Sequence, residues 1–408
     1  MNTFTTSWGD LGLTRYPEDP RDQLRAWDAA DEYLLRHLGE LAERAGPAAI
    51  GGTVVVLGDR WGALTTALAG HGPAQITDSY LTQQATRANL ARNRPAARLA
   101  GVRLLTTQDA PPDRVDVLLV RVPKSLALLE DQLQRLAPRL HAQTLVVGTG
   151  MVTEIHTSTL KLFERIIGPT RTSLAVKKAR LIFTTPDPAL LASAAPIPGA
   201  DPDSDPGSDP AAGLSWPRRY ELPPDIGVMS GRPVTNHAGI FCADRLDIGT
   251  RFFLQHLPER RGPVRVVDLG CGNGVVGTAV AVANPEARVV FTDESFQAVA
   301  SAEATFRANT GPGAKAEFLV GDGLADIERA SADLVLNNPP FHTHRALTDS
   351  TSWRMFTGAR AALRPGGELW VVGNRHLGYH TRLRRLFGNC EAVAGNPKFV
   401  VLRAVKRR

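Results

Sequence analysis

The sequence predicts an α/β protein made of two tandem, doubly wound (Rossmann-like) domains, the first of them degenerate. Three observations predict it. In the second half, four hydrophobic runs end in order at Asp268, Asp293, Asp322 and Asn338, each parted from the next by a helix-compatible segment, as a doubly wound sheet requires. The first of these runs leads into a glycine-rich loop and then a helix. The same succession of segments occurs once already in the first half, which points to two copies of one fold.

The run Val264-Arg-Val-Val-Asp-Leu-Gly-Cys-Gly-Asn-Gly274, continued by Val-Val-Gly277, reads as strand, tight loop, helix. Gly272, Gly274 and Gly277 fit G-x-G-x-x-G, a pattern that also serves dinucleotides, so a nicotinamide oxidoreductase stays open at this point. Asp268 discriminates. A carboxylate at a strand end suits a positively charged ligand group, such as the amino group of S-adenosylmethionine, better than a diphosphate. The next strand, Arg288-Val-Val-Phe-Thr292, ends at Asp293, placed to accept both ribose hydroxyls of an adenosine moiety, and Glu294 follows as a further cofactor candidate. A third, Phe318-Leu-Val-Gly-Asp322-Gly323, offers Asp322 to an adenine amine, or merely to solvent. Ligands of such sheets sit outside the carboxyl ends of the strands, so the expected cofactor residues share one rim: Asp268, Gly270, Gly272, Asn273, Gly274, Asp293, Glu294, Asp322, Gly323 and Asn338.

Asn337-Asn338-Pro339-Pro340-Phe341-His342 follows the fourth strand. An exocyclic amine on a planar base is a poor nucleophile because its lone pair is delocalised into the ring. The Asn338 side-chain carbonyl and the Pro339 backbone carbonyl can each accept one N–H, turning the lone pair toward an electrophile. Two prolines fix φ and remove competing donors, and Phe341 offers a flat apolar wall. Asn338, Pro339, Pro340 and Phe341 are therefore the expected catalytic set. His342 and His344 invite a general-base role, but attack on an activated methyl group needs positioning more than a base.

In the first copy, Leu57-Gly58 matches Leu269-Gly270, Thr77-Asp78 matches Thr292-Asp293, and Asp116-Val-Leu-Leu-Val-Arg-Val-Pro-Lys124 lies on Asp333-Leu-Val-Leu-Asn-Asn-Pro-Pro-Phe341. Arg121 falls where Asn338 sits, and Lys124 where Phe341 sits. Its loop, Gly58-Asp-Arg-Trp-Gly62, carries a bulky Trp61 and lacks the close glycines that admit a ligand. Loss of cofactor binding and catalysis is expected there. Arg121 and Lys124, with Arg87, Arg92, Arg94, Lys177, Lys178 and Arg180, are expected instead to form an RNA phosphate surface. Basic residues also gather in Arg382, Arg384, Arg385 and Lys406-Arg-Arg408.

Domain boundaries follow from composition. Residues 1–190 form the degenerate domain, 191–232 a connector whose Ala195–Pro210 stretch is rich in proline, glycine and acid, and 233–408 the catalytic domain. Within the last, Phe241 and Asp247 precede the core and are candidates to cover the cofactor. A net charge of +6 over 408 residues suits an anionic partner without requiring one. No apolar run reaches the roughly 18 residues of a membrane span and no leader pattern opens the chain, so a cytoplasmic protein without membrane contact is expected. Cys242, Cys271 and Cys390 stand singly, which indicates neither a disulfide framework nor a metal site.

Further segments, among them Trp27-Asp-Ala-Ala-Asp-Glu-Tyr-Leu-Leu, Val122-Pro-Lys-Ser-Leu, Glu154-Ile-His-Thr-Ser-Thr-Leu, Leu246-Asp-Ile-Gly-Thr-Arg-Phe-Phe and Lys398-Phe-Val-Val-Leu, span nearly the whole chain. With the Asn-Pro-Pro-Phe motif, they show that the chain resembles the class I S-adenosylmethionine-dependent ribosomal RNA guanine-N2 methyltransferases. The likeness is greater to the large-subunit (23S) members than to the small-subunit (16S) ones. The resemblance implies two class I methyltransferase folds, S-adenosylmethionine as cofactor, methylation of one guanine of 23S rRNA as free RNA, and a monomer. Asn-Pro-Pro-Phe is shared with protein glutamine methyltransferases, and the first half taken alone would suit a non-catalytic RNA-binding protein.

Overall fold

A computed structural model describes residues 2–19, 22–93, 101–194, 215–340 and 345–407, the side chains of 345–350 excepted. The chain forms two compact units, Met1–Trp216 and Pro217–Arg408. The first opens with the antiparallel hairpin β1 (Asn2–Thr6) and β2 (Gly9–Leu13). It continues with β3 (Val54–Leu57), β4 (Ala74–Thr77), β5 (Arg103–Thr106), β6 (Val117–Arg121), β7 (Leu145–Met151), β8 (Thr170–Thr172) and β9 (Ala179–Thr184). These seven form one sheet in the order β5-β4-β3-β6-β7-β9-β8.

The second unit repeats this strand for strand. A hairpin, β10 (Arg218–Glu221) and β11 (Pro233–Asn236), precedes β12 (Arg265–Leu269), β13 (Arg288–Asp293), β14 (Lys315–Val320), β15 (Ala332–Asn337), β16 (Leu363–Asn374), β17 (Glu391–Gly395) and β18 (Phe399–Val405). Their order is β14-β13-β12-β15-β16-β18-β17. In each sheet the first five strands of that order pair in parallel and the last two pairings are antiparallel, so that only β9 and β18 run against the rest. The doubled α/β fold expected from the sequence is therefore present, down to the matching hairpins. Part of the expected connector is structured: β10 lies within 191–232 and pairs with β11. The strand Arg218–Glu221 lies past the Ala195–Pro210 stretch that is densest in proline, glycine and acid. The Ala195–Pro210 stretch lies outside the described residues.

Strand side chains alternate between two faces, and both faces of each sheet are apolar. Val266, Val289, Phe291, Leu334 and Leu336 enter one core of the second unit. Their neighbours Val267, Leu269, Val290 and Val335 enter another. In the first unit Val54, Val56, Val117 and Leu119 face one way, and Val55, Leu57, Leu118 and Val120 the other. Helices must cover both sides, which is why these strands read as unbroken hydrophobic runs. Polar function is thereby left to the strand ends.

Candidate active site at the carboxyl rim of the second sheet

Because β12, β13, β14 and β15 are parallel, their carboxyl ends lie on one rim. Asp268 is the penultimate residue of β12, Asp293 ends β13, Asp322 lies just past β14, and Asn338 follows β15. Between β12 and the helix Val275–Ala283, the loop carries Gly270, Gly272 and Gly274 at φ +70°, +53° and +71°. These left-handed conformations favour glycine. A Cβ on Gly274 would lie 2.7 Å from the Ala302 Cα, whereas one on Gly272 would meet nothing within 4 Å. The first glycine lets a helix close onto the loop; the second leaves an open cradle of backbone.

Two carboxylates underlie this loop. The Asp268 Oδ2 accepts the Gly277 N–H at 2.8 Å, and burial, with the neighbouring Asp293 charge, pushes its carboxyl up to about 7. Asp293 accepts the Gly272 N–H at 3.0 Å and the Ser295 N–H at 3.1 Å, and burial raises it as well. Each bond uses one lone pair of a carboxylate that has about four acceptor sites. Among the described residues neither carboxyl is paired with a cation, and a cationic ligand group would favour their ionised form.

The other expected cofactor residues divide. Asn273 donates from its side-chain amide to the Asn236 Oδ1 at 3.0 Å, tying the loop to β11. Glu294 is half-buried beside Asp293. Gly323, at φ +62°, has open space where a side chain would be, and its carbonyl accepts from the Thr292 hydroxyl at 2.9 Å. Asp322 is neither bare nor simply solvated: it pairs with the Arg354 guanidinium. A ligand amine there would share that carboxylate.

Asn338 is the most telling residue. Its Nδ2 donates to the Thr250 Oγ1 at 2.9 Å, while its Oδ1 is buried without a hydrogen-bond partner among the described residues. Such an orphaned acceptor is costly, and at a ligand rim it marks the place of a missing donor. Pro339 is buried and Pro340 exposed. Phe341, His342 and His344 lie outside the described residues.

Thr250 lies in one of the segments that carry the family resemblance, but nothing in the sequence marked it as the partner of Asn338. Asp247, a candidate to cover the cofactor, caps the helix Ile248–Leu254 by accepting the Thr250 N–H at 2.8 Å. Phe241 is 51% and Ile248 62% exposed, so this segment supplies apolar surface.

In the first unit the same rim is filled by charge. Arg121, at the end of β6, is 0% exposed. It donates to Asp28 at 2.7 Å and Glu154 at 2.8 Å and lies 3.4 Å from Asp31. Arg60, from the loop after β3, reaches Asp28 and Glu154 as well. The expected phosphate contact by Arg121 is thus corrected, since a buried guanidinium shared by three carboxylates has no face for RNA. Burial pushes Asp31 up to about 7 against the pull of Arg121. For Glu154 the Arg121 charge and its bonds to both arginines overcome burial and hold it at about 2. Among the other expected RNA contacts, Lys124, Lys178 and Arg87 are exposed, while Arg92 pairs with Glu18 and Lys177 with Glu32. Arg94 and Arg408 lie outside the described residues. Lys406 donates to the Leu363 carbonyl.

A family profile described as the RLMG N-terminal domain matches residues 1–188, and one described as the methyltransferase small domain matches 231–403. Ribosomal RNA large subunit methyltransferase G of Streptomyces coelicolor is 69% identical over 403 residues, covering 99% of this chain and 100% of that protein. The chain belongs to the ribosomal RNA large subunit methyltransferase G family. A more distant member, from Stutzerimonas stutzeri, is 45% identical over the full length of both chains. Among solved structures, the T. thermophilus 16S rRNA N2 G1207 methyltransferase (RsmC), in complex with AdoMet and guanosine, matches with a TM-score of 0.72 at 20% identity, covering 100% of this chain and 98% of that one. That likeness shows the fold: two tandem methyltransferase-like α/β domains. Family membership leaves the nicotinamide and glutamine alternatives without support.

Proposed function

We propose that this enzyme transfers a methyl group from S-adenosylmethionine to the exocyclic N2 amine of one guanine in 23S rRNA, using the rim of its second unit. The observation that carries the proposal is the buried Oδ1 of Asn338, unpartnered among the described residues, an acceptor on the same rim as a glycine cradle, the buried Asp268 and the half-buried Asp293. Gly272 and Gly323 leave room for the cofactor, Asp293 accepts the ribose hydroxyls, and Asp268 faces the ammonium group. When bound, S-adenosylmethionine supplies an activated methyl. The residues then have to orient and desolvate the amine: Asn338 Oδ1 and the Pro339 carbonyl take its two N–H bonds, and Phe341 supports the ring. The proton leaves after transfer, so no strong base is needed.

The target nucleotide has to be unstacked for its amine to reach the rim. Free rRNA, rather than an assembled subunit, supplies it most readily, and the enzyme acts in the cytoplasm as a monomer. Among the described residues, no helix is long and apolar enough to cross a membrane. The exposed Lys124, Lys178 and Arg87 of the first unit hold the RNA by its phosphates.

The test uses large-subunit rRNA from cells lacking the enzyme, with labelled cofactor. Asn338→Ala is expected to lose about 100-fold or more in turnover while keeping its affinity for S-adenosylhomocysteine in calorimetry. Asp293→Ala is expected to lose that affinity first. The reverse pattern would overturn the assignment of the rim.

A further inference from the structure

An asparagine amide helps this reaction only when it faces the right way. Turned over, Asn338 would present its NH2 group to the guanine amine, donor against donor. Something must fix the choice, and the structure contains it. The Thr250 Oγ1 lies 3.2 Å from the Asp247 Oδ2, the oxygen that also accepts the Thr250 N–H at 2.8 Å. A carboxylate only accepts, so the single hydroxyl proton of Thr250 goes to Asp247. The Thr250 oxygen is then left as an acceptor toward Asn338, which meets it with Nδ2 at 2.9 Å. The amide carbonyl has to point the other way, where Oδ1 is found buried and unpartnered.

We infer that Thr250, held by Asp247, is a positioning residue that locks the Asn338 amide with its carbonyl oxygen toward the substrate amine. The inference rests on the role proposed for Asn338 above.

The first unit supports this by contrast. There too an aspartate, Asp28, caps the first long helix, Ala29–Ala45, and a residue three places on, Asp31, faces the end of the fourth parallel strand. That strand end is Arg121, which donates to Asp28. An arginine has only donors and can face two carboxylates without any choice of orientation. An amide has one donor end and one acceptor end. In the second unit a hydroxyl replaces the second carboxylate, passing on the demand of Asp247 in a form that binds one end of the amide. The link between capped helix and strand end is common to both units; its directionality belongs to the unit with the open cradle.

A link found in both copies could also serve folding alone, so the test must separate the two roles. Thr250→Val keeps the shape and removes the hydroxyl. It is expected to lower kcat by about 10- to 100-fold, with KM for rRNA and affinity for S-adenosylhomocysteine within about twofold of the parent. Thr250→Ser is expected to restore most of the rate. In single-turnover assays on an Asn338→Ala background, Thr250→Val is expected to cost nothing more, because the group it orients is already gone. An unchanged kcat in Thr250→Val, or an equal loss with and without Asn338, would overturn the inference while leaving the role of Asn338 intact. Full activity in Asn338→Ala would instead overturn the underlying assignment. Should Thr250→Val unfold, Thr250→Ala in the same double-variant cycle carries the same outcomes.

Discussion

Asp268 illustrates how a residue can be legible in sequence as to place and illegible as to state. A carboxylate at the end of a hydrophobic strand before a glycine loop is visible in the letters; that it is buried beside Asp293 and pushed up to about 7 is not. A carboxyl with a folded pKa above its unfolded value of about 4 stabilises the fold fully below that value, and the contribution is lost as pH rises through 7. The ligand-free protein should therefore lose thermal stability between about pH 4 and 7. Asp31, also near 7, adds to the loss, so the difference between the parent and Asp268→Asn isolates Asp268. A cationic ligand group reverses the sign, because it prefers the ionised carboxylate. Affinity for S-adenosylhomocysteine should rise over the same interval, with proton release on binding. Calorimetry in buffers of different ionisation enthalpy measures that release, and Asp268→Asn should abolish it. Release that persists in the variant would place the titrating group elsewhere. Arg121 teaches the complementary lesson. Sequence shows an arginine at a former active rim, where an RNA contact is natural; only packing shows three carboxylates around it. Two of the three, Asp28 and Asp31, come from a segment remote in sequence, so no local pattern announces the cluster.

At the scale of the element, the glycine loop separates folding from binding within three residues. Gly274 and Gly272 both have positive φ, and G-x-G treats them alike. Their surroundings differ. Alanine at 274 would drive a Cβ to 2.7 Å from the Ala302 Cα, in the middle of a helix–loop contact, so Gly274→Ala should lower stability by several kcal/mol, on the order of 3, from clash and left-handed strain together. Alanine at 272 meets open space and should cost about 1 kcal/mol for backbone strain alone, while its methyl group enters the cradle and weakens S-adenosylhomocysteine. Urea denaturation and ligand titration of the two variants should therefore rank them in opposite order. Equal effects on binding would mean that the cradle beside Gly272 is not where the ligand lies. Most of this element was readable: β12, the loop and the following helix fall where the hydrophobic run and the glycines put them. The tie between the capped helix Ile248–Leu254 and the rim was not readable, because Thr250 and Asn338 are far apart in sequence and nothing local marks a threonine as the partner of an amide.

At the scale of the molecule, duplication was the most legible property. It survives in strand order, in the paired hairpins and in the alternation of buried residues between two cores, since every copy of this sheet has to bury both faces whatever its function. What separates the copies is the chemistry of one rim: open glycine and an orphaned acceptor in the second unit, Arg60 and Arg121 locked among acids in the first. The two ligands should therefore divide between the units. In hydrogen exchange on the full chain, S-adenosylhomocysteine should slow the amides of the second rim, around Gly270–Gly274 and Asp293–Ser295, where backbone N–H groups already face acceptors. It should leave the loop after β3 and the end of β6 unchanged, because a ligand protects only the state that contains its site. An rRNA fragment should protect peptides of the first unit that hold Lys124 and Lys177–Lys178, and this protection should fade as salt rises, as phosphate contacts require. Cofactor protection at the first rim would contradict the reading of Arg121 as a plug. RNA protection confined to the second unit would leave the basic residues of the first as ordinary solvated charge, and the degenerate copy would then have to be explained by its own packing alone.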